Sequence, residues 1–178
     1  MLSTILIGLA VLVVLLLIIA ALQPAQFVVE RNGTVSAPPA AVFPYVNDFQ
    51  KWGAWSPWEK LDPNLKRTFS GPAAGVGAVY EWAGNKQAGE GRMTITESRP
   101  SDLVRIKLEF LKPFTATNTT IFTFTPIGEQ TAVNWRMTGE KNFLFKLVGL
   151  FMSMDKMVGK DFEKGLMQLR AAAEAGVR

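Results

Sequence analysis

The feature that most constrains the fold is the strict alternation of apolar and charged residues in the middle of the chain. From Val104 to Phe110 every second side chain is apolar and those between are charged. Such alternation predicts a β-strand with one covered face and one solvent face, which is typical of antiparallel sheets. Further strands are predicted at residues 27–36, 66–69, 75–82, 90–97, 115–125 and 132–138.

The C-terminal part changes to helical spacing. Apolar side chains recur every three or four residues over residues 142–173, which predicts one long helix with an apolar stripe, weakened by three glycines. Two short helices are predicted earlier, at residues 38–48 and 50–57, where Pro57 is expected to end the second. This order of elements predicts an α+β fold in which a strongly curved antiparallel sheet wraps around the long C-terminal helix.

The N-terminal segment is apolar enough to cross a membrane. The first 22 residues carry no charge, and residues 5–22 are apolar apart from Gly8, which is near the length needed to span the hydrocarbon core. A cleaved signal peptide is the alternative, but the segment lacks a basic start and a good small-x-small cleavage site. We therefore predict a transmembrane anchor at 1–22, a linker at 23–26 and one domain at 27–176.

We expect the chain to be a single-pass protein of a bacterial-type inner membrane. Few charges flank the apolar segment, so the positive-inside rule hardly constrains its orientation. We expect the domain outside the cytoplasm, because a short N-terminal tail before a strong anchor usually stays inside.

Composition excludes several kinds of site. The chain contains no Cys and no His, which removes thiol nucleophiles, Ser-His-Asp triads and His or Cys zinc sites. We predict no metal, no cofactor and no catalytic residue; any catalysis would depend on Glu, Asp, Tyr80 or Arg31. The net charge of +4 is scattered, which argues against a nucleic-acid partner and slightly favours an anionic membrane surface.

Three of the five tryptophans lie within seven residues, at Trp52, Trp55 and Trp58. Such a cluster either fills the core between the short helices and the sheet, or forms the lip of a pocket for an apolar ligand. Trp52 is the better candidate for the core, and Trp58 is the better candidate for the lip.

The alternation places six bulky side chains on the covered face: Tyr80, Trp82, Phe122, Phe124, Trp135 and Met137. Each either packs in the core or lines a cavity, since a curved sheet need not close completely. Asn118 and Thr120 share the parity of Phe122, so inside the protein they need a partner: a ligand, a water or a backbone group. Arg31 faces either the cavity mouth or, as we favour, a surface ion pair.

The start of the long helix carries more apolar surface than a sheet needs to cover. Residues 143–154 are interrupted only by Lys146, Gly149 and Ser153. This segment is either enclosed by loops, or it is a flexible gate to the cavity or a membrane contact beside the anchor. Phe151 and Met154 are its candidate ligand contacts.

One ordered set of residues runs through the chain from about residue 27 to residue 175. Its members are Ala37-Pro38, Val42-Phe43, Tyr45-Val46-Asn47-Asp48, Trp52, Trp55-Ser56-Pro57-Trp58, Gly75-Val76-Gly77, Tyr80, Trp82, Gly89, Gly91, Met93, Thr131, Val133, Trp135, Met137 and Gly139. The set resembles the START-like (SRPBCC) superfamily with its helix-grip fold, and within it the bacterial polyketide cyclase/dehydrase and lipid-transport-like group. Pro44, inside the first short helix, departs from the family pattern.

The resemblance implies a deep apolar cavity between the sheet and the long helix. Members bind lipids, sterols, polyketides and other apolar molecules, and some catalyse cyclisation or dehydration. We therefore expect membrane-anchored, non-enzymatic binding of a lipid or another apolar small molecule; the alternatives are a cyclase or dehydratase and a module for a protein partner, which the sequence does not identify. The predicted ligand contacts are Trp55, Trp58, Tyr80, Trp82, Asn118, Thr120, Phe122, Trp135, Met137, Phe151 and Met154.

Overall fold

The structure, a computed structural model, describes residues 1–177. Its helices are α1 (Leu2–Leu22), α2 (Pro39–Asn47), α3 (Phe143–Val148) and α4 (Met154–Ala175), with two 3-10 helices at Phe49–Ala54 and Pro57–Lys60. Its strands are β1 (Gln26–Val35), β2 (Lys66–Ser70), β3 (Val79–Ala83), β4 (Glu90–Arg99), β5 (Leu103–Lys112), β6 (Ala116–Ile127) and β7 (Gln130–Glu140).

All seven strands form one antiparallel sheet in the order β1-β7-β6-β5-β4-β3-β2. Neighbours in sequence are neighbours in space from β2 to β7, and β1 pairs with β7 at the far edge. The register places inward-facing residues opposite each other, Val104 opposite Phe122 and Phe122 opposite Trp135, so the apolar residues predicted by alternation share one face. This curved sheet with its C-terminal helix confirms the predicted helix-grip-like α+β fold.

Helix α4 covers the inner face of the sheet. Phe162, Leu166 and Leu169 are buried along one side of it, as the helical spacing predicts. The ring of Phe162 stacks on Trp135 with 4.1 Å between centroids. Gly165 permits this approach, because a Cβ there would lie 2.7 Å from the Trp135 ring.

The predicted single helix over residues 142–173 is wrong, because the chain forms α3 and α4 with a break at residues 149–153. Each part has its own N-cap: the side chain of Asn142 accepts from the N–H of Phe145, and that of Ser153 accepts from Lys156. Such caps favour new helix starts, and Gly149 weakens the helix just before the break.

Two smaller boundaries also differ from prediction. Pro57 begins the second 3-10 helix rather than ending a helix, since proline lacks only an N–H that a first turn leaves unbonded. Strand β3 begins at Val79, not at residue 75. Gly75 and Gly77 have φ of +80° and +88°, a left-handed conformation that makes a turn there.

Helix α1 is the one helix among residues 1–177 that is long and apolar enough to cross a membrane. Most of its side chains are exposed, but its C-terminal end contacts α3. Ala20 is buried there, and Nζ of Lys146 donates to the carbonyl of Ala21 at 3.4 Å.

Candidate functional site

A cavity of about 310 Å³ lies between the sheet and the helices that cover it. The sheet supplies one wall through inward-facing residues of β3 to β7. Trp58 comes from the second 3-10 helix, Phe145 from α3, and Met154 and Phe162 from α4. Because most of these side chains are apolar, the cavity suits an apolar molecule.

One row across the sheet defines the sheet wall of the cavity. Tyr80 lies opposite Met93, Met93 opposite Leu108, and Leu108 opposite Asn118. All four line the cavity. Since residues opposite each other in an antiparallel pair share a face, the alternation in the sequence is what sets this row.

A second row, nearer α2, is closely packed, and its Trp135 borders the cavity. Phe122 lies opposite Trp135 and stacks on it with centroids 4.8 Å apart. Trp55 meets both rings edge-on, at 5.9 and 5.6 Å, and Trp52 lies 4.7 Å from Trp55. We call Trp52, Trp55, Phe122, Trp135 and Phe162 the aromatic cluster.

Backbone carbonyls of α2 fix the two buried tryptophans of this cluster. The indole N–H of Trp52 donates to the carbonyl of Val46 at 3.0 Å, and that of Trp55 donates to Tyr45 at 2.8 Å. Buried indoles need such partners. Trp52 and Trp55 therefore pack as part of the core, where Trp52 also borders the cavity, while Trp58 is half-buried and lines the cavity.

The structure places most of the predicted ligand contacts at the cavity. The lining includes Trp58, Tyr80, Trp82, Asn118, Thr120, Trp135, Met137 and Met154. Trp55 and Phe122 do not line it, because they are enclosed in the aromatic cluster. Phe151 lies outside it and is 79% exposed, because the helix that was predicted to carry it inward ends at Val148.

A buried polar cluster adjoins the cavity and was missed by sequence reasoning. Glu59 is 8% exposed and lines the cavity beside Tyr80. The Tyr80 hydroxyl donates to Glu59 Oε1 at 2.5 Å, and Arg67 Nε donates to Glu59 Oε2 at 2.6 Å. Burial and the bond to Glu59 raise the pKa of Tyr80, and the same carboxylate raises the pKa of Arg67.

The sequence offered little that pointed to this cluster. Glu59 lies in a four-residue 3-10 helix with no periodicity, and its partners are 8 and 21 residues away on β2 and β3. The only indication in the sequence was that alternation places Tyr80 on the covered face of its strand. Because each carboxylate oxygen of Glu59 accepts a hydrogen bond, the cluster forms a fixed polar part of the cavity wall.

Unlike the atoms of the Glu59 cluster, two buried polar atoms of cavity-lining residues have no hydrogen-bond partner within residues 1–177. They are Oδ1 of Asn118 and Nε1 of Trp135. The amide nitrogen of Asn118 makes only a 3.9 Å contact with the sulfur of Met137. Buried groups of this kind are rare in native proteins.

Arg31 makes the surface ion pair that we favoured and does not line the cavity. Its guanidinium donates to Asp155 at 2.6 and 3.0 Å and to Glu163 at 2.8 Å. These bonds raise the pKa of Arg31, and the bond from Arg31 lowers the pKa of Asp155. They join β1 to the first turns of α4.

The curved sheet and the C-terminal helix that covers it define a protein of the helix-grip-like α+β class. The sequence matches the family described as "Polyketide cyclase / dehydrase and lipid transport" over residues 26–174. The chain belongs to this family, which confirms the resemblance drawn from the ordered residues. A search of curated proteins finds no match.

Solved structures share the fold at low identity. Protein CV1439 from Chromobacterium violaceum is 17% identical with a TM-score of 0.59, and the match covers 85% of this chain and 99% of that one. The di-domain ARO/CYC BexL from the BE-7585A biosynthetic pathway is 15% identical with a TM-score of 0.63, covering 88% and 52%. The Aha1 dimer from Colwellia psychrerythraea is 18% identical with a TM-score of 0.55, covering 84% and 98%.

Proposed function

We propose that this protein is a membrane-anchored binder of a lipid or another apolar small molecule. The cavity of about 310 Å³ with its largely apolar lining is the observation that carries the proposal. Its volume is at the lower end of small-molecule sites. Burial of apolar ligand surface would contribute roughly 25 cal/mol per Å² before the costs of binding. The family description, which includes lipid transport, is consistent with this.

Binding without catalysis fits the polar groups of the cavity better than an enzyme does. Glu59 is already bonded to both Arg67 and Tyr80. A general acid or base needs a free site within hydrogen-bond reach of the substrate. We therefore propose a binding protein rather than a cyclase or dehydratase.

The anchor in this proposal is residues 1–22, followed by the linker 23–26 and the binding domain 27–176. Helix α1 contacts α3, and Phe145 of α3 lines the cavity beside Phe114, with 4.8 Å between ring centroids. In this arrangement α1 spans a bilayer and α3 lies at the bilayer surface. The end of the cavity beside Phe114 and Phe145, which we call its mouth, then faces the lipid. Apolar ligands are concentrated there.

Exposed apolar side chains lie in and just after α3 and at the end of β5, and we call them the mouth patch. They are Leu111, Phe114, Phe143, Leu144, Phe151 and Met152. Amphipathic surfaces of this kind enter the boundary between headgroups and acyl chains. Lys141 and Lys146 lie in and beside α3, where they would meet anionic headgroups.

The decisive experiment is native mass spectrometry with lipid extraction on the full chain purified from membranes. We expect a co-purified apolar molecule at close to one per chain. Ala116→Trp, which puts a bulky side chain on the cavity wall, should abolish co-purification, whereas Ala54→Trp at an exposed position should not. Equal occupancy in the two variants, or an empty wild-type protein that also takes up no added lipid, would overturn the proposal.

The orientation is proposed as the domain outside the cytoplasm. A C-terminal fusion to a reporter that is active only outside the cytoplasm should be active, and a fusion to one that matures only inside should be dark. The reverse pattern would place the domain in the cytoplasm and leave the binding proposal unchanged.

A further inference from the structure

One end of the sheet gathers the cavity mouth, the anchor and several loops. In the register, the first residues of β1, β2, β4 and β6 lie beside the last residues of β3, β5 and β7. This end therefore carries the turns at 84–89 and 113–115, and the cavity lining reaches it at Gln87 and Phe114. We call it the mouth end of the sheet.

Five lysines surround the mouth end and give it a positive charge. They are Lys60, Lys66, Lys86, Lys141 and Lys146. Among residues 1–177 none of them takes part in an ion pair. The acids there that also lie outside ion pairs are the exposed Glu140 and the buried Asp62, whose oxygens accept from backbone N–H groups. The turns at the opposite end of the sheet carry Asp102 and Glu129 and no lysine or arginine.

Three of these lysines lie far from the anchor. In the sheet order β3 is five strand spacings from β1, which is about 24 Å along the sheet at about 4.8 Å per spacing. Lys86 lies in the turn that ends β3, and Lys66 lies opposite Ala83, the last residue of that strand. Lys60 comes directly before Leu61, whose carbonyl accepts a bond from the same turn.

Attachment through the anchor alone leaves the domain free to pivot. Residues 23–25 join α1 to β1, and α3, with the mouth patch around it, contacts α1. These links hold the β1 edge of the mouth end close to the bilayer and do not hold the β3 edge. Lysines without a protein partner suit anionic headgroups, and each one near an anionic leaflet strengthens attachment about fivefold.

On these grounds, and resting on the proposed anchor, we infer that the mouth end docks on an anionic lipid bilayer at two places. The mouth patch makes contact beside the β1 edge, and Lys60, Lys66 and Lys86 make contact at the β3 edge. The cavity then opens onto lipid around its whole rim rather than on one side. Because the attraction is screened over about 8 Å at physiological salt, docking of the β3 edge weakens as salt rises.

Fluorescence quenching on the full chain tests the docking. Because the chain contains no Cys, a single cysteine can carry a bimane label. Asn64→Cys places the label at an exposed position near the β3 edge, and Ala74→Cys places it at the opposite end of the sheet. Each labelled protein is reconstituted into vesicles of phosphatidylcholine, with or without one quarter phosphatidylglycerol, that contain phosphatidylcholine with a nitroxide on its headgroup.

We expect strong quenching of the Asn64→Cys label in the anionic vesicles and several-fold weaker quenching in the neutral ones. High salt should lower the anionic value to the neutral one. The Ala74→Cys label should be quenched little in either kind of vesicle.

Two charge variants with the loop label identify the lysines responsible. Lys60→Ala combined with Lys86→Ala should lower the ratio of docked to undocked protein about 25-fold in anionic vesicles, as for two lysines at about fivefold each. The matched control is Lys51→Glu, which changes the net charge by the same amount. Lys51 follows α2, where the carbonyl of Asn47 accepts from Gly75 at the opposite end of the sheet. This control should leave the quenching unchanged.

Both charge variants change exposed side chains, so they should keep the circular dichroism of the wild type. Equal quenching of the loop label in neutral and anionic vesicles, or in the double variant and its control, would overturn the inference and leave the anchor and apolar binding intact. A label that is unquenched in both kinds of vesicle would leave this surface to a protein partner and would also overturn it. A chain that alkaline carbonate washes off the vesicles would contradict the anchor of the proposed function itself.

Discussion

The two ends of the interior share one sheet face but differ in how they are filled. Near α2 the row through Phe122 and Trp135 is closed, with both residues at or near zero exposure. Four residues further along the strands, past the Thr120 row, the row through Leu108 and Asn118 lines an open cavity. Alternation put both rows inside, so it cannot explain the difference.

The difference comes from what covers each row. Over the closed row the covering elements supply flat rings at stacking distance, among them Trp55 and Phe162. Over the open row they supply Phe145, Met154 and the half-buried Trp58, all of which line the cavity. Trp58 also meets the rings of Trp135 and Phe162 edge-on, at 5.7 and 6.1 Å, on the border between the two rows. Strand pattern therefore decides which residues face inward, and the loops and short helices decide whether they pack or leave a space.

The largest expected effect is loss of stability at the closed end. Trp55→Ala should lower the free energy of unfolding by about 3–5 kcal/mol, because it leaves a hole in a packed cluster and removes the partner of the Tyr45 carbonyl. Urea denaturation followed by circular dichroism measures this. Trp58→Ala, which enlarges a space that already exists, should cost clearly less. Equal losses would mean that the two ends are not packed differently.

A matched pair on β5 tests the same contrast by adding volume. Val104 belongs to the closed row and Leu108 to the open one, on the same face of the same strand. Val104→Phe should destabilise the protein by about 1–3 kcal/mol or more through overpacking. Leu108→Phe should fit into the cavity with little change in unfolding midpoint but weaker ligand uptake. A large stability loss for Leu108→Phe would contradict the open row.

The same contrast explains what the sequence could and could not predict. Alternation placed Tyr80, Asn118 and Trp135 inside because strand parity is local. It did not separate the packed Phe122 from the cavity-lining Met137, since that depends on covering elements distant in sequence. It also missed Glu59, whose role depends on contacts with β2 and β3 rather than on its neighbours.

The break between α3 and α4 was missed for a related reason. Apolar spacing continues through residues 149–153, so periodicity predicts one helix. The caps at Asn142 and Ser153 are short-range signals that were present but carry less weight than a long stripe. The prediction of Phe151 as a ligand contact depends on that stripe being one continuous helix.

Tyr80 belongs to the open row, and its hydroxyl gives the next smaller effect. Tyr80→Phe should cost about 1–2 kcal/mol, because the bond to Glu59 is lost while Arg67 remains as a partner. The folded pKa of Tyr80 lies above its ordinary value of 10.0, so its contribution is complete below that pH and is lost as pH rises through the folded value. The stability gap between wild type and Tyr80→Phe should therefore narrow above about pH 10. A gap that stays constant from pH 8 to pH 11 would exclude this linkage.

The smallest expected effect concerns the clamp between Arg31 and Asp155, which holds the first turn of α4 over the open end. The folded pKa of Asp155 lies below its ordinary value, so its contribution is present above that value and is lost as pH falls through the folded one. The carboxylate is about half exposed, and solvent screening keeps the effect small. At pH 7, Asp155→Asn should therefore speed amide hydrogen exchange a few-fold at most in the first turns of α4. The indole N–H of Trp55 should stay as protected from exchange as in wild type. Its partner is the Tyr45 carbonyl of α2, which is not part of the bonds between Arg31 and Asp155. Equal acceleration at both sites would show that the two ends open together, and the distinction between a closed and an open end would then hold for packing but not for motion.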